Sequence, residues 1–385
     1  MPNKKINRTE NPAYSMQKSF ITGIGYAVPK FSVSQQDSIR LMSQVLKLSD
    51  TEENRLKALY RASGIKKRHT VVEDYTKLPA DFEWLPKSLV NEQFPAIAER
   101  MKLFRQEALP LSIQAVESLK EDYPSNKLSE VTHLITISCT GMYAPGLDID
   151  LVHRLSLANN VQRTAINFMG CYGVFNGLKV ADSICRSNPE AKVLLVSTEL
   201  CTIHFQPGNS EDETLSAALF ADGSAAALIE SVPTKGISFE IEKGYTDLFP
   251  EGDADMAWQI GNQGFEMILS SYVPKLLNKG VKGFIDGLLK GTALKTEDIS
   301  HWVIHPGGKQ IINSIEEALQ IPKSYNEISR TILEEYGNMS SATVLFVLKE
   351  LKKTLSKENE NQSVLSMAFG PGLTLEALLY KIVHC

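Results

Sequence analysis

The sequence predicts an α/β protein assembled from two halves of similar build. Three observations carry this. First, "HLITIS" (133–138), "TAINF" (164–168) and "KVLLVS" (192–197) are short apolar runs, with helix-like stretches at 146–157 and 172–186 between them. That alternation is the order of βαβ units around a buried sheet. Second, a further set follows "SVPTKG" (231–236). "WVIHP" (302–306) reads as a strand, "KQIINSIEEALQI" as a helix, and "SSATVLFVLKELKKTL" as a helix with an apolar stripe at 344, 345, 348 and 351. "SVLSMAF" and "TLEALLY" then read as two closing strands around the turn "GPG". Third, the residues able to do chemistry divide between the sets: Cys171 in a half spanning 1–236, His305 and Asn338 in a half spanning 237–385.

Before the first strand set, a polar head of about 18 residues is expected to be loosely held. "GIGYAVP" (23–29) has two glycines after a strand but not the third glycine, the following helix or the acidic partner of a dinucleotide site, so it reads as a turn. The segment 41–115 reads as mostly helical, broken at Gly64 and at the prolines at 79, 86, 95 and 110.

Composition narrows the function classes. The chain has 385 residues, 43% hydrophobic and 22% charged, as expected of a globular protein. A net charge of −5 argues against a nucleic-acid partner, which calls for a basic excess. No window approaches a membrane span, and the polar opening lacks the apolar core of a signal peptide. Five cysteines without CxxC spacing point to reduced thiols and a cytoplasmic location. In "DIDLVHR" (148–154), Asp148 and Asp150 suit the first turn of a helix, so with His153 they read as dipole partners and no metal site is expected.

"INFMGCYGVFNGL" (166–178) places Cys171 where a strand turns into a helix. Val174, Gly177, Leu178, Ala181, Ile184 and Cys185 form that helix's apolar face, opposite Asn176, Lys179, Asp182 and Arg186. Unpaired N–H groups and the dipole at the helix start favour a thiolate and predict a lowered pKa for Cys171. The other reading is a small core residue, which suits Cys185 better. "VIHPGG" sets His305 at the end of a strand, where α/β sheets form crevices, and "EYGNMSSA" sets Asn338 in a turn before a helix. Cysteine, imidazole and amide together suffice for acyl transfer through a thioester. The Cys171–His305 spacing also falls in the range of papain-like proteases, but the C-G-S-C-W signature of that family is missing.

With these residues in view, the sequence resembles the type III polyketide synthases (chalcone synthase-like enzymes) of the thiolase superfamily. "MGCYGVFNGLKVADSI", "ALFADGSAAALI", "HPGGKQII", "YGNMSSATVLFVL" and "FGPGLTLE" match its motifs in order from about Ser19 onward. The resemblance implies an αβαβα layered thiolase fold and a homodimer. It implies no cofactor, with coenzyme A thioesters (an acyl-CoA primer and malonyl-CoA) as substrates. It makes Cys171 the acyl-accepting nucleophile and His305 with Asn338 the pair holding the malonyl thioester carbonyl. Phe220 and Phe265 match two aromatic gatekeepers. Cys139, Thr140, Cys201, His204 and Met256 match cavity-lining positions, which in plant chalcone synthases are similar to Thr, Ser, Thr, Thr and Gly. Met256 should take volume from a chalcone-type cavity. Thr140 and Cys201 resemble bacterial alkylpyrone and alkylresorcinol synthases, where these positions open a tunnel for a fatty acyl chain. Of the basic residues at 55–68, only Arg55 falls on a family position for gripping CoA phosphates, and Ala144 replaces a methionine that reaches into the partner subunit. The alternatives are a single-condensation enzyme similar to ketoacyl synthase III or HMG-CoA synthase, and a non-enzymatic acyl-binding scaffold.

Overall fold

The computed structural model describes residues 17–87, 93–122, 125–206 and 211–385, so most of the polar head lies outside the described residues. The first half runs β1 (Phe20–Ala27), β2 (Phe31–Ser34), α1 (Gln35–Leu46), α2 (Asp50–Ser63), β3 (Lys67–Thr70), α3 (Ile97–Ser118) and β4 (His133–Ser138). It continues with α4 (Leu147–Arg154), β5 (Gln162–Asn167), α5 (Gly173–Ser187), β6 (Lys192–Leu200), α6 (Glu211–Leu219) and β7 (Asp222–Glu230). The second half runs β8 (Ile237–Leu248), β9 (Met256–Ile260), β10 (Phe265–Leu269), α7 (Val273–Leu289) and β11 (His301–Ile304). It closes with α8 (Lys309–Leu319), α9 (Glu327–Tyr336), α10 (Thr343–Thr354), β12 (Ser363–Gly370) and β13 (Thr374–His384).

Nine strands form one hydrogen-bonded sheet in the order β11-β12-β13-β8-β1-β7-β6-β4-β5. The halves meet at β1 and β8, which pair antiparallel through only Phe20↔Glu240 and Ile21↔Phe239. Outward from that seam, β1-β7-β6-β4-β5 and β8-β13-β12-β11 repeat one order, the second lacking a counterpart of β5 among the described residues.

Packing turns this sheet into five layers. In β6, Val193 and Leu195 face α5 and α10, while Leu194 and Val196 face α3 and α4. In the second half, Val303, Val364 and Leu378 join the layer of α5 and α10, while Trp302, Leu365 and Leu379 pack on α7 and α8. The layers are therefore α3/α4, sheet, α5/α10, sheet, α7/α8: the αβαβα thiolase-like fold. Strands covered on both faces read as continuous apolar runs, which is why these segments stood out in the sequence.

The expected stripe on α10 is wider than predicted. Residues 343–349 of α10 are all buried, because the helix lies between the two halves of the sheet. Even Lys349 is 2% exposed, and its Nζ donates to Asp122 at 2.8 Å. Burial works to raise the Asp122 carboxyl, but Lys352 and Lys349 outweigh it and hold it below the ordinary carboxylate range.

Two other expectations are corrected. "GIGYAVP" is a central strand, not a turn: residues 23–27 belong to β1 and pair with β7. Gly25 is needed there because a Cβ would lie 2.4 Å from the Ala115 carbonyl of α3. The segment 41–115 is helical over most of its described residues, with β3 and short turns in 67–87. Pro110, however, does not break α3, which runs through it. Pro110 and Gln106 are both exposed, so the carbonyl freed by proline faces water.

Candidate active site

Cys171 follows β5 by a tight reversal. Phe168 and Gly170 take φ of 61° and 73°, and one 3₁₀ turn, Gly170–Tyr172, leads into α5. Glycine is required at 170 twice over: the backbone is left-handed, and a Cβ would meet Pro371 Cδ at 2.2 Å. Across the cavity, Asn338 sits between α9 and α10 with its backbone fixed on both sides. Its N–H donates to the Leu219 carbonyl, and its carbonyl accepts from the Ala221 N–H, each at 2.9 Å. The side chain is oriented by Oδ1 accepting the Ser340 N–H (2.9 Å) and Nδ2 donating to the Gly307 carbonyl (3.3 Å). Cys171 Sγ lies 4.0 Å from Asn338 Oδ1. His305 follows β11, its backbone N–H donating to the Met367 carbonyl at 2.8 Å. Its ring is fully buried, edge-on to Phe369, and neither ring nitrogen has a hydrogen-bond partner. A buried imidazole with both nitrogens unpaired is costly unless a ligand fills the space beside it.

The lowered pKa expected for Cys171 is corrected by its surroundings. Burial pushes the thiol up to about 12, with the buried Glu199 adding to the rise, against lowering by Ser340 and Asn338. Burial likewise pushes His305 down to about 3. Without substrate both groups are neutral near pH 7, because desolvation in this apolar cavity outweighs the helix terminus.

One cavity of about 200 Å³ brings Cys171, His305 and Asn338 together. Phe220, Cys139, Thr140, Cys201 and Met256 line it. Phe265, His204 and Arg55 do not. Phe265 stacks on His204 (ring centroids 4.1 Å apart), and both line a neighbouring cavity of about 310 Å³. His204 is fully committed: Nε2–H donates to the Thr140 carbonyl at 2.6 Å and Nδ1 accepts the Phe265 N–H at 3.0 Å. Burial holds this imidazole neutral, at about 3. Arg55 is exposed on α2. Met267 and Trp258 occupy the cavity instead, the Trp258 Nε1–H donating to the Cys139 carbonyl at 2.7 Å.

The chain matches the chalcone and stilbene synthase N-terminal domain over residues 6–233 and the C-terminal domain over residues 240–384. It is similar to a probable polyketide synthase 1 of Dictyostelium discoideum, 31% identical over 96% of this chain and 12% of that much longer protein. The "alpha-pyrone synthesis polyketide synthase-like Pks18" of Mycobacterium tuberculosis is 28% identical over 97% of this chain and 93% of its own. Among solved structures, the C-terminal type III polyketide synthase domain of Steely1, a type I/III hybrid from Dictyostelium, superposes with a TM-score of 0.85 at 30% identity. It covers 94% of this chain and 99% of that one. The chain belongs to the chalcone and stilbene synthase family. It is an enzyme, an acyltransferase of the type III polyketide synthase class.

In this chalcone and stilbene synthase family member, Glu199 is the polar residue that sequence reading missed. It is fully buried at the end of β6, and burial raises its pKa. It accepts from the Cys139 N–H and the Thr140 hydroxyl, each at 2.9 Å, and from the Ser341 hydroxyl. Thr140 belongs to the half carrying Cys171 and Ser341 to the half carrying Asn338, so Glu199 ties the two sides together. An acid inside the apolar run "VLLVSTEL" was the available signal. Phe220 is anchored similarly, its carbonyl accepting from Arg68 Nη1 at 2.7 Å. Asp222 beside it accepts from the Thr202 N–H and hydroxyl, and burial pushes its carboxyl up to about 6. The acids of "DIDLVHR" have protein partners: Asp148 pairs with Arg163, and Asp150 accepts from the Tyr143 hydroxyl. No group of three or more His, Cys, Asp and Glu converges as a metal site among the described residues. All five cysteines are free, and no described helix is long and apolar enough to cross a membrane.

Proposed function

We propose that the protein loads an acyl group from an acyl-CoA primer onto Cys171 and extends it iteratively with malonyl-CoA. The observation that carries this is the meeting of Cys171, the unpartnered His305 ring and the fixed Asn338 amide in one cavity. Loading begins from a neutral thiol and a neutral imidazole. As Sγ attacks the thioester carbonyl its proton passes to His305, so opposite charges arise together and neither is buried alone. The proton then leaves with the coenzyme A thiol.

For extension, His305 N–H and the second Nδ2–H of Asn338 hold the malonyl thioester oxygen. Loss of CO₂ places negative charge on that oxygen, and donors already in position stabilise the enolate. The enolate carbon attacks the Cys171 thioester, the C–S bond breaks, and the longer chain returns to Cys171 for the next cycle.

The primer we propose is a long fatty acyl chain, with an alkylpyrone or alkylresorcinol as product. The cavity around Cys171 is smaller than the 300–1,000 Å³ usual for small-molecule sites, but the second cavity shares Cys201, Phe220, Trp258 and Met267 with it. A chain passing Cys201 would reach the second space, and each buried CH₂ adds about 0.8 kcal/mol. The mycobacterial relative, described as acting in alpha-pyrone synthesis, supports the same product class. The sheet's edge strand β5 is exposed along most of its length, which supports a homodimer formed along that edge. The test is mass spectrometry of products from malonyl-CoA and primers from C2 to C18. Pyrones or resorcinols from C8–C18 primers are expected. Activity confined to acetyl or aromatic primers overturns the fatty acyl reading, and a single malonyl addition in every product overturns the iterative one.

A further inference from the structure

Among the residues lining the cavity of Cys171, Lys309 is the single one with an ionic side chain besides the catalytic groups. It is exposed and forms no ion pair among the described residues. It opens α8, whose preceding Gly308 offers no side-chain cap. The Gly308 carbonyl takes the Ile311 and Ile312 N–H groups, leaving the amides of Lys309 and Gln310 without partners inside the helix. Facing it across the mouth is α2, contributing Leu59 and Ala62. The Lys309 stem rests on Gly64 at the end of α2, its Cβ 3.1 Å from where a glycine Cβ would be.

Of the other basic residues of this region, Arg55 and Arg61 are exposed on α2 and do not line the cavity, and the rest are engaged elsewhere. Lys57 pairs with Glu53, Lys66 with Glu334 and Lys67 with Glu335. Arg68 is buried and donates to Gln35, Phe220 and Ser38. At the inner end of the same cavity, both ring nitrogens of the buried His305 lack partners. A thioester whose carbonyl meets His305 and whose carrier leaves by the mouth must pass Lys309.

We propose that Lys309, with the free amides opening α8, is the anchor for the phosphates on the nucleotide end of the CoA thioester. This rests on the reading of the cavity as a CoA-thioester site. An ammonium beside a helix N-terminus suits a phosphate dianion.

The experiment compares an acyl-CoA with the same acyl group on N-acetylcysteamine, which carries no phosphate, as primers for wild type, Lys309→Ala and Lys309→Arg. The expected result is a KM for acyl-CoA raised about tenfold or more in Lys309→Ala with kcat within twofold. The N-acetylcysteamine thioester should be used equally well by wild type and Lys309→Ala, and Lys309→Arg should restore most of the acyl-CoA affinity. An unchanged KM for acyl-CoA, or an equal rise for both thioesters, overturns the assignment while leaving the active site intact. Wild type that turns over neither thioester overturns the reading of the cavity, and this assignment with it.

Discussion

The two halves of the protein use one scaffold and furnish it with different chemistry. In the first, the reversal at Gly170 (φ 73°) presents Cys171 just before α5; in the second, Gly337 (φ 76°) presents Asn338 just before α10. The residue following β4 is Cys139, and the residue following β11 is His305. Corresponding positions therefore carry sulfur on one side and nitrogen donors on the other. Because α5 and α10 share the central layer, both helix starts open on one cavity. Neither half alone holds a nucleophile and a group able to stabilise an enolate. Their union can do both.

The largest expected effect breaks the comparison at its first-half position. Cys171→Ala should lower condensation by more than about 10³-fold while malonyl-CoA decarboxylation persists, measured as acetyl-CoA formation. Asn338→Ala, at the matching position, should instead cut decarboxylation itself by about 10²–10³-fold. If both variants lose both activities equally, the division of labour is wrong.

Stability provides the next contrast. Phe175 in α5 and Phe346 in α10 are both fully buried in the central layer. Truncating either to alanine should cost about 3–5 kcal/mol, read from denaturant unfolding. A much smaller loss at one of them would show that the layer is not shared evenly.

The smallest effect concerns charge. Burial raises the Cys171 thiol and lowers the His305 imidazole, so the thiolate fraction should climb throughout the neutral range. The rate of iodoacetamide labelling of Cys171 in the free enzyme should rise from pH 6 to 9 without a plateau. A plateau in that window would reveal a preformed thiolate–imidazolium pair instead.

Much of this was legible in the chain. Strands buried on both faces carry near-continuous apolar runs, such as Val193–Val196 of β6, and the apolar face of α5 follows helical periodicity. Gly25 was misread because its requirement comes from α3, about ninety residues away. On β10, Phe265 and Met267 lie on the same face two residues apart, so strand periodicity cannot choose between them. The pairing of Phe265 with Ile260 and its stacking on His204 make that choice. His204 lines the neighbouring cavity and not that of Cys171 because its partners, Thr140 and the Phe265 amide, hold it there, and both are distant in sequence.

By itself, the sequence determined the alternation of elements and marked Cys171, His305 and Asn338 as candidates for chemistry, since periodicity, turn chemistry and motif strings are local. Only the tertiary structure decided which side chains share the cavity, that Cys171 and His305 rest neutral, and that Lys309 stands at the mouth. Those properties depend on which surfaces lose water when the five layers close, and burial of that kind is set by contacts between residues far apart in the chain.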